Sequence, residues 1–114
     1  MSSYYYVLSV NGLFLLFSIV FYFFQPKKIN ALYGYRSNKT IKNDDIWKYS
    51  NAFFGKHLLL YAAISFAFAM ILAFLNPIIS WQPMALMLLA IAITVIKTEQ
   101  EINKTFNEEG ERKQ

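Results

Sequence analysis

Three apolar segments, separated by polar stretches, divide the chain. The first runs from Tyr4 to Phe24 and contains no charged residue. At about 1.5 Å per helical residue it reaches about 31 Å, which matches the roughly 30 Å hydrocarbon core of a bilayer. No lysine or arginine precedes it, and it is longer than the apolar core of a signal peptide. We therefore expect a retained membrane-spanning helix over residues 4–24.

The second apolar segment lies inside a longer predicted helix. Asn43-Asp44-Asp45 is a helix start signal, because an asparagine side chain can cap the first turn and carboxylates are favoured within it. The apolar part begins only at Leu58 and ends before Asn76-Pro77. We therefore predict a span over residues 57–75, preceded by an interfacial helical extension outside the bilayer.

The third apolar segment is the shortest of the three. It runs from Met84 to Ile96 and follows a short uncharged turn that contains Trp81. Pro83 fits the first helical position, where its missing N–H costs nothing. We predict a span over residues 82–98, with Trp81 at the level of the membrane interface.

The third helix is expected to continue beyond its span. Ile102 and Phe106 are four residues apart, so a helix would place both side chains on one face. Gly110 is the predicted end of this helix, because glycine readily adopts the backbone conformation that closes a helix at its C-terminus.

The distribution of basic residues predicts the orientation in the membrane. The N-terminus and the second loop carry no basic residue, whereas the first loop carries Lys27, Lys28, Arg36, Lys39, Lys42 and Lys48. The C-terminal tail holds Lys104, Arg112 and Lys113, and Lys97 lies just before it. Since lysine and arginine are enriched in cytoplasmic loops, we expect loop 26–51 and tail 99–114 in the cytoplasm and the N-terminus outside. Three spans require the loop and the tail to share a side, so the number of spans and the charges agree.

The composition favours a membrane location. Apolar residues make up 56% of the chain, with 11 Phe and 8 Tyr among them, and a soluble protein of this size could not bury that much apolar surface. A net charge of +4 would hint at nucleic acid in a soluble protein. Here the basic residues flank apolar runs, so the lipid bilayer is the expected partner and nucleic acid is not. We predict an all-α fold, a three-span transmembrane helical bundle forming a single membrane domain over residues 1–114.

No residue pattern typical of an enzyme occurs in the sequence. The chain has no nucleophile elbow, no zinc-protease motif and no phosphate-binding glycine loop. It has no cysteine, and His57, its one histidine, has no second metal ligand near it in the sequence. Glu99 and Glu101 are two residues apart on a predicted helix and therefore point in different directions. We expect no catalysis, no metal site and no cofactor.

One face of the second helix is suited to hold a turn of backbone. Trp47, Asn51 and Gly55 are spaced by four residues, so they fall on one side of the helix. This side offers an indole, an amide and a gap. The turn Gly34-Tyr35-Arg36 is near in sequence, and we expect it to pack on this face at the cytoplasmic surface.

Arg36 would then lie near the membrane surface. There its guanidinium could meet a carboxylate or phosphate of a binding partner. The alternative is that Arg36 pairs with a lipid headgroup or with Glu99. We expect a contact between Arg36 and Glu99, direct or through a neighbour such as Tyr35, because both residues are predicted at the inner boundary of the bilayer.

These residues also carry a resemblance to a known family. The pattern N-x-x-x-G-Y-R-S begins at Asn30, and W-x-x-x-N-x-x-x-G begins at Trp47, where it opens a predicted transmembrane helix. The end of the third span and the tail add Thr98-Glu99, Phe106 and Gly110-x-Arg112. Over residues 26–112 the chain resembles the SdpI family of small bacterial integral membrane proteins, in its short form.

The resemblance implies a binding function in the bacterial cytoplasmic membrane. The best-known members give immunity to a secreted toxic peptide that attacks the cell's own membrane, and some also hold a transcriptional repressor at the membrane. By position, the motif and candidate partner-binding residues are Asn30, Gly34, Tyr35, Arg36, Ser37, Trp47, Asn51, Gly55 and Glu99. Ser37 stands where threonine is usual. The chain also lacks the additional N-terminal membrane region of the longer immunity proteins.

A structural role is the alternative to immunity or signalling. The chain could be a small accessory subunit packed against larger membrane protein subunits. Asn11-Gly12 would suit helix packing, as would the small residues Ala63 and Ala67, which are four apart. A transporter or channel is disfavoured, because no charged residue falls in the middle of a predicted span.

Overall fold

The protein folds into three helices connected by two loops. In chain order these are α1 (Ser3–Phe23), α2 (Asp44–Leu75) and α3 (Gln82–Thr105). This computed structural model describes residues 3–30, 32–76 and 81–113. Within those ranges the only pairing of β type is an isolated antiparallel bridge between Phe106 and Arg112, so the predicted all-α class is confirmed.

Helix α2 begins where the sequence predicts. The Asn43 side-chain oxygen accepts a hydrogen bond of 2.9 Å from the Ile46 N–H and so caps the first turn. Asp44 and Asp45 place carboxylates in this turn, where the helix dipole favours them. The helix ends at Leu75, before the predicted stop at Asn76-Pro77; Pro77 itself lies outside the described residues.

Helix α3 starts as expected but ends earlier than expected. It begins at Gln82, one residue before Pro83, and it ends at Thr105. The predicted end at Gly110 is wrong, because the chain leaves the helix at Phe106, whose N–H bonds the Ile102 carbonyl at 2.8 Å. Gly110 instead has a positive φ of 84° within the tail beyond the helix.

Helix α2 contacts both other helices through small side chains. Ala62 lies in a cluster with Phe14 of α1 and Ala90 of α3. Ala69 and Ala73 form a second cluster, which holds Val7. Small side chains let helix backbones approach closely. In a bilayer such packing matters because the hydrophobic effect does not drive helices together there.

Two polar or small residues of α1 also serve this packing. Asn11 is fully buried, and its side-chain nitrogen donates a hydrogen bond of 3.2 Å to the Pro83 carbonyl of α3. Gly12 faces Phe66 of α2, where an added Cβ would make an ordinary contact at 3.7 Å. Asn11 therefore bonds a neighbouring helix, as expected, whereas the contact at Gly12 does not require a glycine. Ala63 and Ala67, by contrast, are exposed on the outside of the bundle.

Large apolar side chains cover the outside of all three helices. Phe74 is 77% exposed and Phe23 is 70% exposed. Only 28% of the most apolar window of α1, and likewise of α2, is buried inside the protein. A core helix of a soluble protein would be mostly buried. Helices α1 and α2 are therefore long and apolar enough to cross a membrane, and their surface is suited to lipid.

Candidate partner-binding site

Asn51 holds the loop before α2 against the helix. Its side-chain oxygen accepts a hydrogen bond of 2.6 Å from the Tyr35 N–H, and its nitrogen donates to the Tyr35 carbonyl at 3.3 Å. The same amide nitrogen donates to the Trp47 carbonyl one turn earlier at 3.0 Å. The amide therefore satisfies both backbone groups of Tyr35, as the sequence pattern predicts for this face.

Gly34 lets the loop approach this closely. An added Cβ would lie 2.6 Å from the Pro26 ring, 2.8 Å from the Asn51 oxygen and 3.2 Å from Trp47. Its φ is also +117°, a conformation that residues with a Cβ rarely adopt. Trp47 is fully buried, and its ring N–H donates to the Pro26 carbonyl at 2.9 Å. The Trp47 indole therefore holds the start of the loop at Pro26, and Gly34 adopts the backbone conformation that the turn requires.

Two further candidate residues shape the loop from its ends. The Asn30 side-chain oxygen accepts hydrogen bonds from the N–H groups of Leu32 and Tyr33, at 3.0 and 2.7 Å. The Ser37 N–H donates to the hydroxyl of buried Thr40 at 2.7 Å. Asn30 and Ser37 thus have structural roles on either side of the Gly34 turn.

Tyr35 connects the loop to α3. Its hydroxyl donates a hydrogen bond to a Glu99 side-chain oxygen, and its ring stacks on Phe54 with 4.8 Å between centroids. Burial of the phenol, together with the neighbouring Glu99 carboxylate, raises the pKa of Tyr35 well above its usual value. The phenol therefore stays protonated and remains a donor to Glu99.

Arg36 follows Tyr35 but does not reach Glu99 itself. Its side chain is exposed at the edge of the loop. Among the residues that the structure describes, Arg112 and Asp45 form an ion pair. The observed bond to Glu99 comes from Tyr35, and an indirect contact of Arg36 with Glu99 through Tyr35 stays a prediction.

A cleft of about 400 Å³ opens beside this loop. Its walls are aromatic on the helix side and formed by the loop on the other, with Arg36 at the edge. The lining residues are Phe17, Phe21, Leu32, Tyr33, Gly34, Tyr35, Arg36 and Phe54. Leu32, at the tip of the loop, is 98% exposed. Such a cleft can take an apolar side chain of a partner and offer a guanidinium beside it.

Gly55 has a different neighbour from the one the spacing predicts. An added Cβ would lie 3.1 Å from the Phe21 ring, near the end of α1, and 3.2 Å from the side-chain nitrogen of Gln25, which follows α1. The expectation that Gly55 receives the Gly34-Tyr35-Arg36 turn is wrong, because Asn51 and Trp47 already hold that turn. Gly55 instead allows α1 to approach α2.

The C-terminal tail folds back on the start of α2, a feature that sequence reasoning missed. Arg112 donates two hydrogen bonds of 2.8 Å to the two carboxylate oxygens of Asp45. Its guanidinium also lies over the rings of Tyr49 and Phe106, at 5.2 and 5.3 Å from their centroids. The Asn43 side chain donates to the Gly110 carbonyl at 2.8 Å. The tail thereby joins α2 to the end of α3.

Hydrogen bonds from three lysines also connect the loop, the end of α3 and the tail. Lys39 donates to the Asn103 side chain and to the Phe106 carbonyl, both at 3.1 Å. Lys42 donates to the Glu108 carbonyl, and Lys113 donates to the Asn103 carbonyl at 2.7 Å. The sequence signal for this arrangement was the set of lysines in the loop and the tail.

His57 and Glu101 each contact neighbouring side chains or backbone. His57 stacks on Phe53 at 4.0 Å between centroids, with its Nδ1 3.0 Å from the Phe53 carbonyl oxygen. Glu101 accepts a hydrogen bond of 2.6 Å from the Tyr49 hydroxyl and points away from Glu99, as expected. Across the described ranges, no three histidine or acidic side chains come together as a metal ion would require.

The fold is all-helical, and its two long apolar helices suggest a membrane protein. Residues 27–98 match the SdpI/YfhL protein family, and this range covers more than half of the chain. The chain therefore belongs to the SdpI/YfhL family, which indicates a membrane protein of the immunity type rather than a known enzyme. The matched range includes the candidate residues from Asn30 to Gly55, and Glu99 follows it directly.

A similar protein is the uncharacterized protein YfhL of Bacillus subtilis (strain 168). It is 26% identical over 103 residues, which cover 90% of this chain and 91% of that protein. No solved structure gives a significant match to the chain.

Proposed function

We propose that the chain is a non-catalytic immunity protein that binds a peptide or protein partner in the cleft beside Tyr35 and Arg36. The observation that carries this proposal is the cleft itself, which combines aromatic walls with an arginine, Arg36, among its lining residues. Aromatic and arginine side chains dominate the energetics of protein interfaces. The fully exposed Leu32 gives the same surface an apolar tip.

The proposed arrangement in the membrane is a bundle of three spans in one membrane domain. The spans are residues 4–24, 57–75 and 82–98, with the N-terminus outside and the C-terminus in the cytoplasm. The hydrogen-bonded pair Asp45–Arg112 supports a shared side for the first loop and the tail, because it brings the start of α2 and the tail together. With three spans, these two segments share a side. The polar first turns of α2 then form an interfacial extension.

A membrane-inserted peptide could reach the cleft from the bilayer. Phe17 and Phe21 belong to α1, so the cleft extends into the apolar part of the bundle. Arg36 lies at its polar end, toward the proposed cytoplasmic side. A cytoplasmic repressor would approach from that end, and both kinds of partner would contact Arg36.

The experiment is a protection assay in a bacterium that lacks its own immunity protein. The cells are exposed to the secreted toxic peptide against which family members protect. We expect the chain to restore growth. Phe17→Ala should abolish protection because it removes one wall of the cleft. Leu16→Ala is the matched control, since both side chains are 56% exposed and only Phe17 lines the cleft. Failure of the unchanged chain to protect, or equal protection by both variants, would contradict the proposal.

An accessory role is the second candidate, supported by Ala63 and Ala67. Both lie on the outer face of α2, where two small residues four apart would let another helix approach closely. If the chain is a subunit of a larger complex, Ala63→Leu combined with Ala67→Leu should release it from that complex. The measurement is the mass of the particle purified from native membranes in mild detergent.

A further inference from the structure

A cavity of about 850 Å³ lies between the end of α1 and the first half of α2. It is separate from the cleft at Tyr35 and on a different set of residues. Its lining combines aromatic side chains from α1 with basic side chains from the loop and α2: Tyr22, Phe23, Phe24, Gln25, Pro26, Lys27, Lys48, Ala52 and Lys56. None of these lining residues is acidic.

Three lysines surround this cavity because of helix spacing and one glycine. Lys48 and Lys56 are eight residues apart on α2, so they lie on one stripe about 12 Å long, with Ala52 between them. Gly55 brings the end of α1 close to α2. Lys27, just after α1, is thereby carried to the same cavity.

The basic residues of the chain divide into two sets. Lys39, Lys42 and Lys113 donate hydrogen bonds to the tail and its neighbours, as described above. For Lys27, Lys48 and Lys56, the described residues offer no hydrogen bond or ion pair to the ammonium groups, and all three side chains are exposed. Three like charges around one cavity repel each other and favour an anionic ligand.

We propose that this cavity binds the phosphate headgroup of an anionic phospholipid. The proposal rests on the proposed position of the cytoplasmic bilayer boundary near Lys56, two residues before the apolar run that begins at Leu58. Lysines at such a boundary extend their ammonium groups toward headgroups while their stems follow apolar surface. The phosphate lies among Lys27, Lys48 and Lys56.

The aromatic side chains favour a lipid over a free phosphate ion. Tyr22, Phe23 and Phe24 are 39%, 70% and 72% exposed and line the same cavity. A free phosphate ion would gain nothing from this apolar wall. The glycerol and acyl chains of a lipid would cover it, and aromatic side chains are common at this depth of a bilayer.

The test compares two triple variants of the full chain in neutral detergent. One carries Lys27→Gln, Lys48→Gln and Lys56→Gln; the control carries Lys28→Gln, Lys97→Gln and Lys104→Gln, which removes the same charge elsewhere. Native mass spectrometry measures the binding of phosphatidylglycerol and of phosphatidylcholine. We expect the unchanged chain to prefer phosphatidylglycerol. The cavity variant should lose at least about tenfold of that affinity, since each lysine near an anionic surface contributes roughly fivefold, and the control should lose little.

Two further measurements separate a built site from general charge attraction and from a free anion. Ala52→Phe keeps every lysine but fills the cavity, so it should also weaken phosphatidylglycerol binding. Inorganic phosphate should neither bind in the absence of lipid nor displace phosphatidylglycerol at equal concentration. Equal losses in both triple variants, unchanged binding in Ala52→Phe, or displacement by inorganic phosphate would each overturn the proposal. The growth assay for the cleft does not depend on these results, so the two proposals can fail separately.

Discussion

The hydroxyl of Tyr35 donates a hydrogen bond to the Glu99 side chain and so joins the loop before α2 to α3. The sequence predicts a contact between Arg36 and Glu99, direct or through Tyr35, and the hydrogen bond observed at Glu99 comes from Tyr35. The phenol is neutral, so it stabilises the Glu99 carboxylate by hydrogen bonding without neutralising it. The positive charge of Arg36 stays at the exposed edge of the cleft.

Tyr35→Phe tests this bond directly. The variant keeps the ring that stacks on Phe54 and removes only the hydroxyl. We expect the free energy of unfolding to fall by about 1–3 kcal/mol, because the half-buried Glu99 loses its donor. Tyr49→Phe is the control, because the Tyr49 hydroxyl donates to Glu101 in the same way. Tyr49 lies nearer to solvent than Tyr35, so the loss of its hydroxyl should lower the free energy of unfolding less. Denaturant unfolding in detergent micelles gives the values.

A double-mutant cycle assigns the energy to the pair. Tyr35→Phe and Glu99→Gln, alone and together, should show a coupling free energy clearly different from zero. The corresponding cycle on Arg36→Ala and Glu99→Ala should show a smaller coupling, and strictly additive effects there would contradict the predicted indirect contact. Additive effects in the Tyr35–Glu99 cycle would count against a stabilising bond between them.

Gly34→Ala should strongly destabilise the loop. The substitution adds a Cβ 2.6 Å from the Pro26 ring at a residue with φ +117°. We expect a cost of about 2–4 kcal/mol, since a strained backbone and an overpacked contact each cost about 1–3. Gly12→Ala is the matched control, because its Cβ would have room and alanine favours a helix. A Gly34→Ala protein as stable as Gly12→Ala would show that the loop does not hold this turn.

The local patterns of the sequence predict much of this region. The Asn43 cap and the start of α2 depend on neighbours within one turn, so the sequence is sufficient to place them. The Asn51–Tyr35 contact is also predictable, because helical spacing puts Trp47 and Asn51 on one face and the loop precedes them directly. In both cases the interacting groups are close along the chain.

Contacts between distant segments are not predictable in the same way. The four-residue spacing correctly predicts that Gly55 lies on the same face of α2 as Trp47 and Asn51. Spacing alone does not predict which segment of the chain packs against that face. The end of α1 occupies that place, and the crossing of two helices decides this. Arg112 and Asp45 are a second case, because they meet only through the fold of the tail after Phe106. Their charges alone allow many other pairings.

Gly55→Leu tests the packing of α1 on α2. A side chain at Gly55 would collide with Phe21, whose ring lies within 3.2 Å of an added Cβ. We expect a lower melting temperature and lower expression than for Ala67→Leu, which places the same leucine side chain on the exposed side of α2. Equal melting of the Gly55→Leu and Ala67→Leu proteins would contradict this close approach.

The proposed orientation can be tested with reporter fusions. A phosphatase that is active only outside the cytoplasm should be inactive when fused after residue 113 or within loop 26–51. It should be active when fused between α2 and α3. An active phosphatase at the C-terminal end would overturn the orientation, since three spans and a cytoplasmic loop require a cytoplasmic tail.

The Arg112–Asp45 pair should make the stability of the tail depend on pH. The hydrogen bonds from Arg112 lower the pKa of Asp45 below its ordinary value of 3.8. A carboxyl with a lowered pKa contributes stability above its ordinary pKa and loses that contribution as the pH falls through the lowered value. Both side chains are about half exposed, so the effect should be small and screened by salt.

Asp45→Asn removes this charge and keeps the shape of the side chain. At neutral pH and low salt we expect it to melt below the unchanged protein, and the difference should shrink as the pH falls below about 4. Asp44→Asn is the control, because Asp44 lies in the same first turn of α2 and shares the favourable helix dipole. It has no bond to Arg112. If both variants lower the melting temperature equally at every pH, the effect belongs to the helix dipole, and the pair with Arg112 contributes nothing.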